Sequence, residues 1–190
     1  RESLKITQLK GTIAWQQTPD DWIASSPIIE LDSPDLKTKS RLSLSIPKTE
    51  GQKTFMDLQT AFASDDVSKA SYYLPASAMK KTVVDWLDRA FISGRVPRGN
   101  MLFYGNLSDF PFTGGQGIFE TRFEVDQLEL AYDPEWPHVI DLGGEVLFLQ
   151  GGLQVDLRKG LSDKVKINQA KVTIPALGKS EHLLVQGELE

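Results

Sequence analysis

Along most of this chain apolar and polar residues alternate one for one, the period of a strand that buries one face. In "RLSLSI", Leu42, Leu44 and Ile46 fall on one side, and Pro47 ends the run. In "FMDLQTAF", Met56, Leu58 and Phe62 fall together. "LKITQLKGTIAW" holds two such runs: Leu4 with Ile6, then Leu9, Gly11, Ile13 and Trp15 after a slip of phase. "TPDDW" follows as a turn. From Met101 onward "MLFYGNL", "GIFETRFEV", "QLELAY", "VIDLGGEVLFLQ", "LQVDLR", "VKINQAKVTI" and "LLVQGELE" succeed one another across short linkers of Gly, Asp, Pro or Lys. "FETRFEV" sets Phe119, Phe123 and Val125 against Glu120, Arg122 and Glu124; "LQVDLR" sets Leu153, Val155 and Leu157 against Gln154, Asp156 and Arg158. "QGGLQ" suits a two-residue hairpin loop.

Only the middle of the chain changes period. Ser64 before Asp65 and Asp66 reads as a helix start, a hydroxyl cap with acids in the first turn. That helix is short, because Pro75 disfavours helical geometry at Leu74. Ser77 caps a longer helix running to about Ser93, with Met79, Val83, Trp86, Leu87, Ala90 and Phe91 on one stripe. Asp85 and Arg89 are spaced to pair at i,i+4, and Gly94 stands where a C′ glycine belongs. The chain therefore divides into strands (1–63), a helical insert (64–94) and a β-meander (95–190). No helical pattern separates the later strands, so parallel crossover units are not expected. The expected fold is α+β and mostly β: one domain, a curled antiparallel β-meander forming a groove, with the insert packed on it or capping it.

Composition narrows the chemistry. With 40% hydrophobic and 25% charged residues among 190, the chain is an ordinary globular sequence. A net charge of −5 argues against nucleic acid as a partner. The absence of cysteine excludes disulfides, thiolate metal sites and thiol catalysis. The sequence begins at Arg1, with no leader and no apolar run of bilayer length, and is expected to be a segment of a longer protein.

The local motifs that suggest catalysis do not hold together. In "TGGQGIFE", Gly115-x-Gly117 lacks a third glycine, since Glu120 stands there, and a strand follows where a phosphate site needs a helix. His138 and His182 lack zinc-ligand spacing, and there is no G-x-S-x-G elbow. Asp20, Asp21, Asp65 and Asp66 sit on a turn and a helix start. Glu120, Glu124, Glu129 and Asp156 sit on polar strand faces, where a solvated role is the rule. "NLS" at Asn106 fits a glycosylation pattern that is frequent by chance. Arg95 and Arg98 follow the expected helix end and suit its dipole, with anion or headgroup contact as the other reading. Phe110, Phe112 and Trp136 read as core anchors. No catalytic residue, metal or cofactor is expected.

The stretch from Tyr72 to Pro137 carries a resemblance. "YLP" (Tyr73 to Pro75), "WLDRAF" (Trp86 to Phe91), "SGRVPRG" (Ser93 to Gly99), "GNLSDFPF" (Gly105 to Phe112), "G-x-F" (Gly117 to Phe119) and "L-x-Y-x-x-x-W-P" (Leu130 to Pro137) occur in order. Together they resemble the YhdP-type branch of the AsmA-like proteins. The resemblance implies a large envelope protein of Gram-negative bacteria, anchored in the inner membrane, whose periplasmic part is a long curled β-sheet with an apolar groove. It implies a bridge along which phospholipid moves toward the outer membrane. Phospholipid acyl chains and flanking segments of the same full-length protein are then the expected partners, and the family brings no catalytic residues.

Strand physics supplies a matching mechanism. A curled sheet sends alternate side chains inward, and an unfilled inner row is an apolar trough. Acyl chains would gain about 0.8 kcal/mol per buried CH₂ there. The rows expected to face lipid or core are Phe119, Phe123, Val125, Leu128, Leu130, Ile140, Leu142, Val146, Phe148, Leu153, Val155 and Leu157. The same alternation suits a filled core, so groove and core stay open alternatives. Two other functions compete: a structural or protein-interaction module of the envelope, and a glycan hydrolase with two carboxylates about 5–10 Å apart in a cleft.

Overall fold

The computed structural model describes residues 5–73, 81–177 and 184–190. Its elements in order are β1 (Gln8–Gly11), β2 (Ala14–Gln17), β3 (Asp21–Asp32), β4 (Leu36–Pro47) and β5 (Phe55–Ser64). A 3-10 turn (Val67–Lys69), α1 (Ala70–Tyr73) and α2 (Lys81–Ala90) follow. The chain then runs through β6 (Phe91–Asn106), a second 3-10 turn (Leu107–Asp109), β7 (Ile118–Leu130), β8 (Val139–Leu149), β9 (Gly152–Ser162), β10 (Val165–Ile174) and β11 (Leu184–Leu189). The 11 strands among the described residues form one antiparallel sheet in the order β1-β3-β4-β5-β6-β7-β8-β9-β10-β11, with β2 also on β3. The sheet is open, because β1 and β11 lie at opposite edges.

The strand prolines sit where the ladder is broken anyway. Pro27 lies between the stretch of β3 paired with β2 and the stretch paired with β1, at a register shift against β4. Pro97 lies in β6 between Val96 and Gly99, where the register shifts against both neighbours. A residue with no N–H is tolerated in a sheet only at such bulges or at edges. Further register shifts follow at Val125/Leu128 in β7 and at Ile140/Gly143 in β8. Left-handed residues mark the last two of these sites, Gln127 (φ 53°) and Asp141 (φ 50°), and Gly94 (φ 125°) marks a further shift in β6 between Ser93 and Arg95. Bulges bend strands and increase their twist, and these lie toward one end of neighbouring strands, so the sheet curls there.

The helical insert packs at this bulged end. Val67, Val96, Val125, Leu128, Val139 and Leu142 form a buried core, with Phe62, Phe91, Phe123, Leu130 and Tyr132 against it. Each such side chain contributes about 1.5–3 kcal/mol by leaving water. Asp66 caps the first 3-10 turn by accepting from the Ser68 amide (2.9 Å). Tyr73 ties α1 to the β3–β4 turn through a hydroxyl–hydroxyl bond to Ser33 (2.8 Å). Trp86 donates from Nε1 to the Tyr132 carbonyl (3.0 Å), fastening α2 to the chain beyond β7.

Several local expectations are corrected here. Ser64 ends β5 rather than capping a helix, and the capping role falls to Asp66. The longer helix stops at Ala90; Phe91 to Gly94, expected in its last turn and cap, open β6. Gly94 does adopt a left-handed conformation, but in a bulge, where a Cβ would lie 2.6 Å from the Leu128 Cα. "SGRVPRG" is thus bulged strand and not turn. Asp85 pairs with Lys81 (2.6 Å) instead of Arg89. Leu4, Leu74, Pro75, Ser77, Met79 and His182 lie outside the described residues. The loop of "QGGLQ" has the expected length, with Gln150 and Gly151 between Leu149 and Gly152.

Candidate functional site

Residues directly opposite in a ladder share a face, so rows can be followed across the sheet. One row runs from edge to edge: Leu9, Leu31, Thr38, Phe62, Gly99, Phe123, Val146, Val155, Val172 and Val185. The next row on the same face is Gly11, Ile29, Ser40, Thr60, Met101, Thr121, Phe148, Leu153 and Ile174. Beyond it lie Ser26, Leu42, Leu58, Phe103 and Phe119. None of these residues is charged. Most are neither fully buried nor fully exposed.

The opposite face carries the charge. Arg41 pairs there with Asp57 (2.9 Å), Arg122 with Glu145 (2.9 Å), Arg98 with Glu124 (2.6 Å), and Lys171 with Asp156 (3.6 Å). Arg95 binds Asp126 (2.5 Å), and Lys159 spans Asp126 (3.3 Å) and Asp141 (2.8 Å). The Arg98 hydrogen bond holds the Glu124 carboxyl below the usual range, and Arg95 followed by Lys159 does the same for Asp126. In return Glu124 raises Arg98, and Asp141 and Asp126 raise Lys159. Arg95 and Arg98 are therefore partners in cross-strand ion pairs, not a helix C-terminal pair. A shallow concavity of about 390 Å³ lies on this charged face, lined by Pro97, Glu124, Asp126, Gly143, Arg158 and Lys159. His138 binds Glu129 through Nδ1 (2.9 Å). Among the described residues no group of three or more His, Asp or Glu could hold a metal ion. None of the described helices is long and apolar enough to cross a membrane.

The apolar face has walls at both ends of its strands. At the bulged end stand Phe62 and Phe123 with their rings 6.1 Å apart, backed by the Val67 core. At the other end the loop after β6 folds back over the face. Phe112 is fully buried there, and a Cβ on either Gly105 or Gly117 would strike its ring (2.7 Å to each). Phe110 lies stacked on Phe103 (5.9 Å) and edge-on to Phe119 (5.0 Å).

The expected site residues divide among these places. Phe119, Phe123, Val146, Phe148, Leu153, Val155 and Leu157 stand on the apolar face, partly exposed. Val125, Leu128 and Leu142 belong to the filled core, with Leu130 against it. Ile140 does not belong to the row: the bulge at Asp141 reverses the phase, Val139 takes the buried place, and Ile140 is 42% exposed. Trp136 is no core anchor either, being 62% exposed beside Tyr132. The rows also enlist Thr60, Met101, Val172 and Ile174, whose alternation was visible but whose place on the same face was not.

An open antiparallel sheet with one continuous uncharged face and one ion-paired face defines a class of amphipathic β-scaffold. The family model described as "YhdP protein" matches residues 1–190, so this chain belongs to the YhdP family. That match includes the first sixty residues, which carry none of the recognisable motifs. The chain is 23% identical over 190 residues to the "Intermembrane phospholipid transporter YhdP" of Escherichia coli (strain K12). The alignment covers 100% of this chain and 15% of that protein. No solved structure matches significantly.

Proposed function

We propose that this chain is a non-enzymatic segment of a periplasmic bridge-like protein, and that its apolar face carries phospholipid acyl chains between the two membranes. The observation that carries this is the row from Leu9 to Val185, which crosses the sheet from edge to edge without a charged side chain. A graded apolar surface lets a chain slide, since each CH₂ gains a similar ~0.8 kcal/mol wherever it lies. Family membership supports the same role, as the Escherichia coli relative is a phospholipid transporter. The expected division into strands, insert and meander belongs to this proposal, as does a full-length protein anchored in the inner membrane.

Flanking segments of the same protein are the partners we assign to the edges. Among the described residues both edges leave unpaired backbone groups beside exposed apolar side chains: Leu9 (62%) and Trp15 (60%) at one, Leu184 and Val185 (57% each) at the other. Added strands would satisfy those groups and extend the rows.

A crosslinking side chain at Met101 or Val155, in protein kept free of detergent, tests the proposal. Phospholipid adducts and lipid-bound mass peaks are expected; empty protein without adducts overturns it. The second reading is a structural or interaction module without lipid conduction. The core around Val67 favours it, since that part of the face is filled by the protein itself. An Asp at Val146 separates the two readings, because it stops lipid passage only if the face conducts.

A further inference from the structure

We propose that Phe110 is a width-limiting wall of the apolar lane, selecting how many hydrocarbon chains lie side by side along the Met101 row. This rests on the lipid-carrying role above and adds the residue that sets its selectivity.

The lane is bounded along the strands. Gly99 and Phe103 are four residues apart in β6, about 13 Å at the usual strand rise, and Met101 lies midway. On the Gly99 side the rings of Phe62 and Phe123 close in from the neighbouring strands. On the Phe103 side the wall has two layers. Phe103 rises from the sheet, and Phe110 is laid over it with nearly parallel rings (19°, 5.9 Å). A hydrocarbon chain in van der Waals contact with both walls needs about 8 Å between wall atoms. The rings over Gly99 and Phe103 narrow this backbone span; on the proposed reading they leave room for one chain, and lowering the Phe110 wall admits a second.

The two phenylalanines of "DFPF" divide the work. Phe112 is fully buried, between Gly105 and Gly117, and holds the loop in place. Phe110 is 50% exposed although it is a large apolar ring on an apolar face. The loop is also moored away from this ring: Asp109 accepts from Lys53 and from Asn106 (3.0 Å) on the side of the 3-10 turn. Removing the Phe110 ring therefore leaves the Phe112 socket and the Lys53 mooring intact. An exposed aromatic on a fixed loop, stacked on Phe103 at the rim of the lane, is placed to touch whatever occupies the lane.

The test compares single-chain lysophosphatidylethanolamine with two-chain phosphatidylethanolamine, both offered in vesicles, by photocrosslinking from position 101. Phe110→Ala is expected to raise the two-chain to one-chain labelling ratio at least threefold, and Phe110→Trp to lower it. Thermal unfolding of each variant checks the fold; if Phe110→Ala unfolds, Phe110→Leu takes its place. Unchanged ratios in both folded variants, with labelling at position 101 retained, overturn the wall while leaving lipid carriage standing. Absence of labelling in the unaltered protein overturns lipid carriage, and the wall with it.

Discussion

The Phe62 ring lies over the α-carbon of Gly99 in the adjacent strand, and no side chain larger than hydrogen fits beneath it. A Cβ at position 99 would overlap that ring and stand 2.8 Å from the Cβ of Phe123 on the other side. Glycine here lets two aromatic rings from β5 and β7 meet over β6. Gly99→Ala should therefore destabilise the protein by about 1–3 kcal/mol through overpacking. In a chain of this size that lowers the melting temperature by about 2–4 °C per kcal/mol, read by thermal unfolding.

The two phenylalanines of the rim loop should behave oppositely. Phe112→Ala empties a fully buried socket and should cost about 3–5 kcal/mol. Phe110→Ala removes a half-exposed ring and should cost far less. Urea titration of both variants measures the contrast, and similar losses would contradict the assignment of anchor and wall.

Acid should weaken the charged face and the mooring of the rim loop. Glu124, Asp126 and Asp109 have carboxyls held below their usual range by Arg98, by Arg95 with Lys159, and by Lys53 with Asn106. A lowered folded-state value means the stabilisation is full above the ordinary carboxylate range, near 4. It is lost as pH falls from there through the lowered values. Stability should thus be insensitive to these groups from pH 5 to 8 and decline below about 4. Asp126→Asn should flatten part of that decline. Because the pairs are exposed, 1 M salt should reduce the difference between variants.

Trp86→Phe removes the indole donor to the Tyr132 carbonyl but keeps an aromatic ring near Phe91. A loss of about 1 kcal/mol is expected. Hydrogen exchange in α2 should rise more than in β7, since the bond fastens the insert and not the sheet.

On the proposed lipid-carrying role, substitution on the two faces separates transport from stability. Thr121→Asp places a charge on the lane floor and should abolish lipid crosslinking from position 101, a loss of at least tenfold. Arg122→Ala, one residue away, removes an ion pair on the opposite face and should leave crosslinking within twofold. Thermal melts of both confirm that folding is retained.

Much of this was legible because strand alternation is a local property. "FETRFEV" assigned Phe119, Phe123 and Val125 to one face and their charged neighbours to the other without any tertiary information. It failed at Ile140, where a bulge at Asp141 adds a residue and reverses the phase. Nothing in "VIDLGG" announces which residue is the extra one. It failed again at Gly94, because a left-handed glycine after a helix pattern looks the same whether it caps a helix or bends a strand.

The sequence by itself determined most of the strands, their antiparallel succession, the oily and charged faces, and the family, since each depends on residue order over short distances; it missed β3 (Asp21–Asp32), whose alternation is broken around Pro27, and the bulged start of β6. Only the tertiary structure decided which part of the oily face is filled and which is open. That depends on where the insert and the Phe112 loop fold back, through contacts between residues far apart in the chain. Val67 closes one end and Phe112 the other, and the Met101 row stays partly exposed between them.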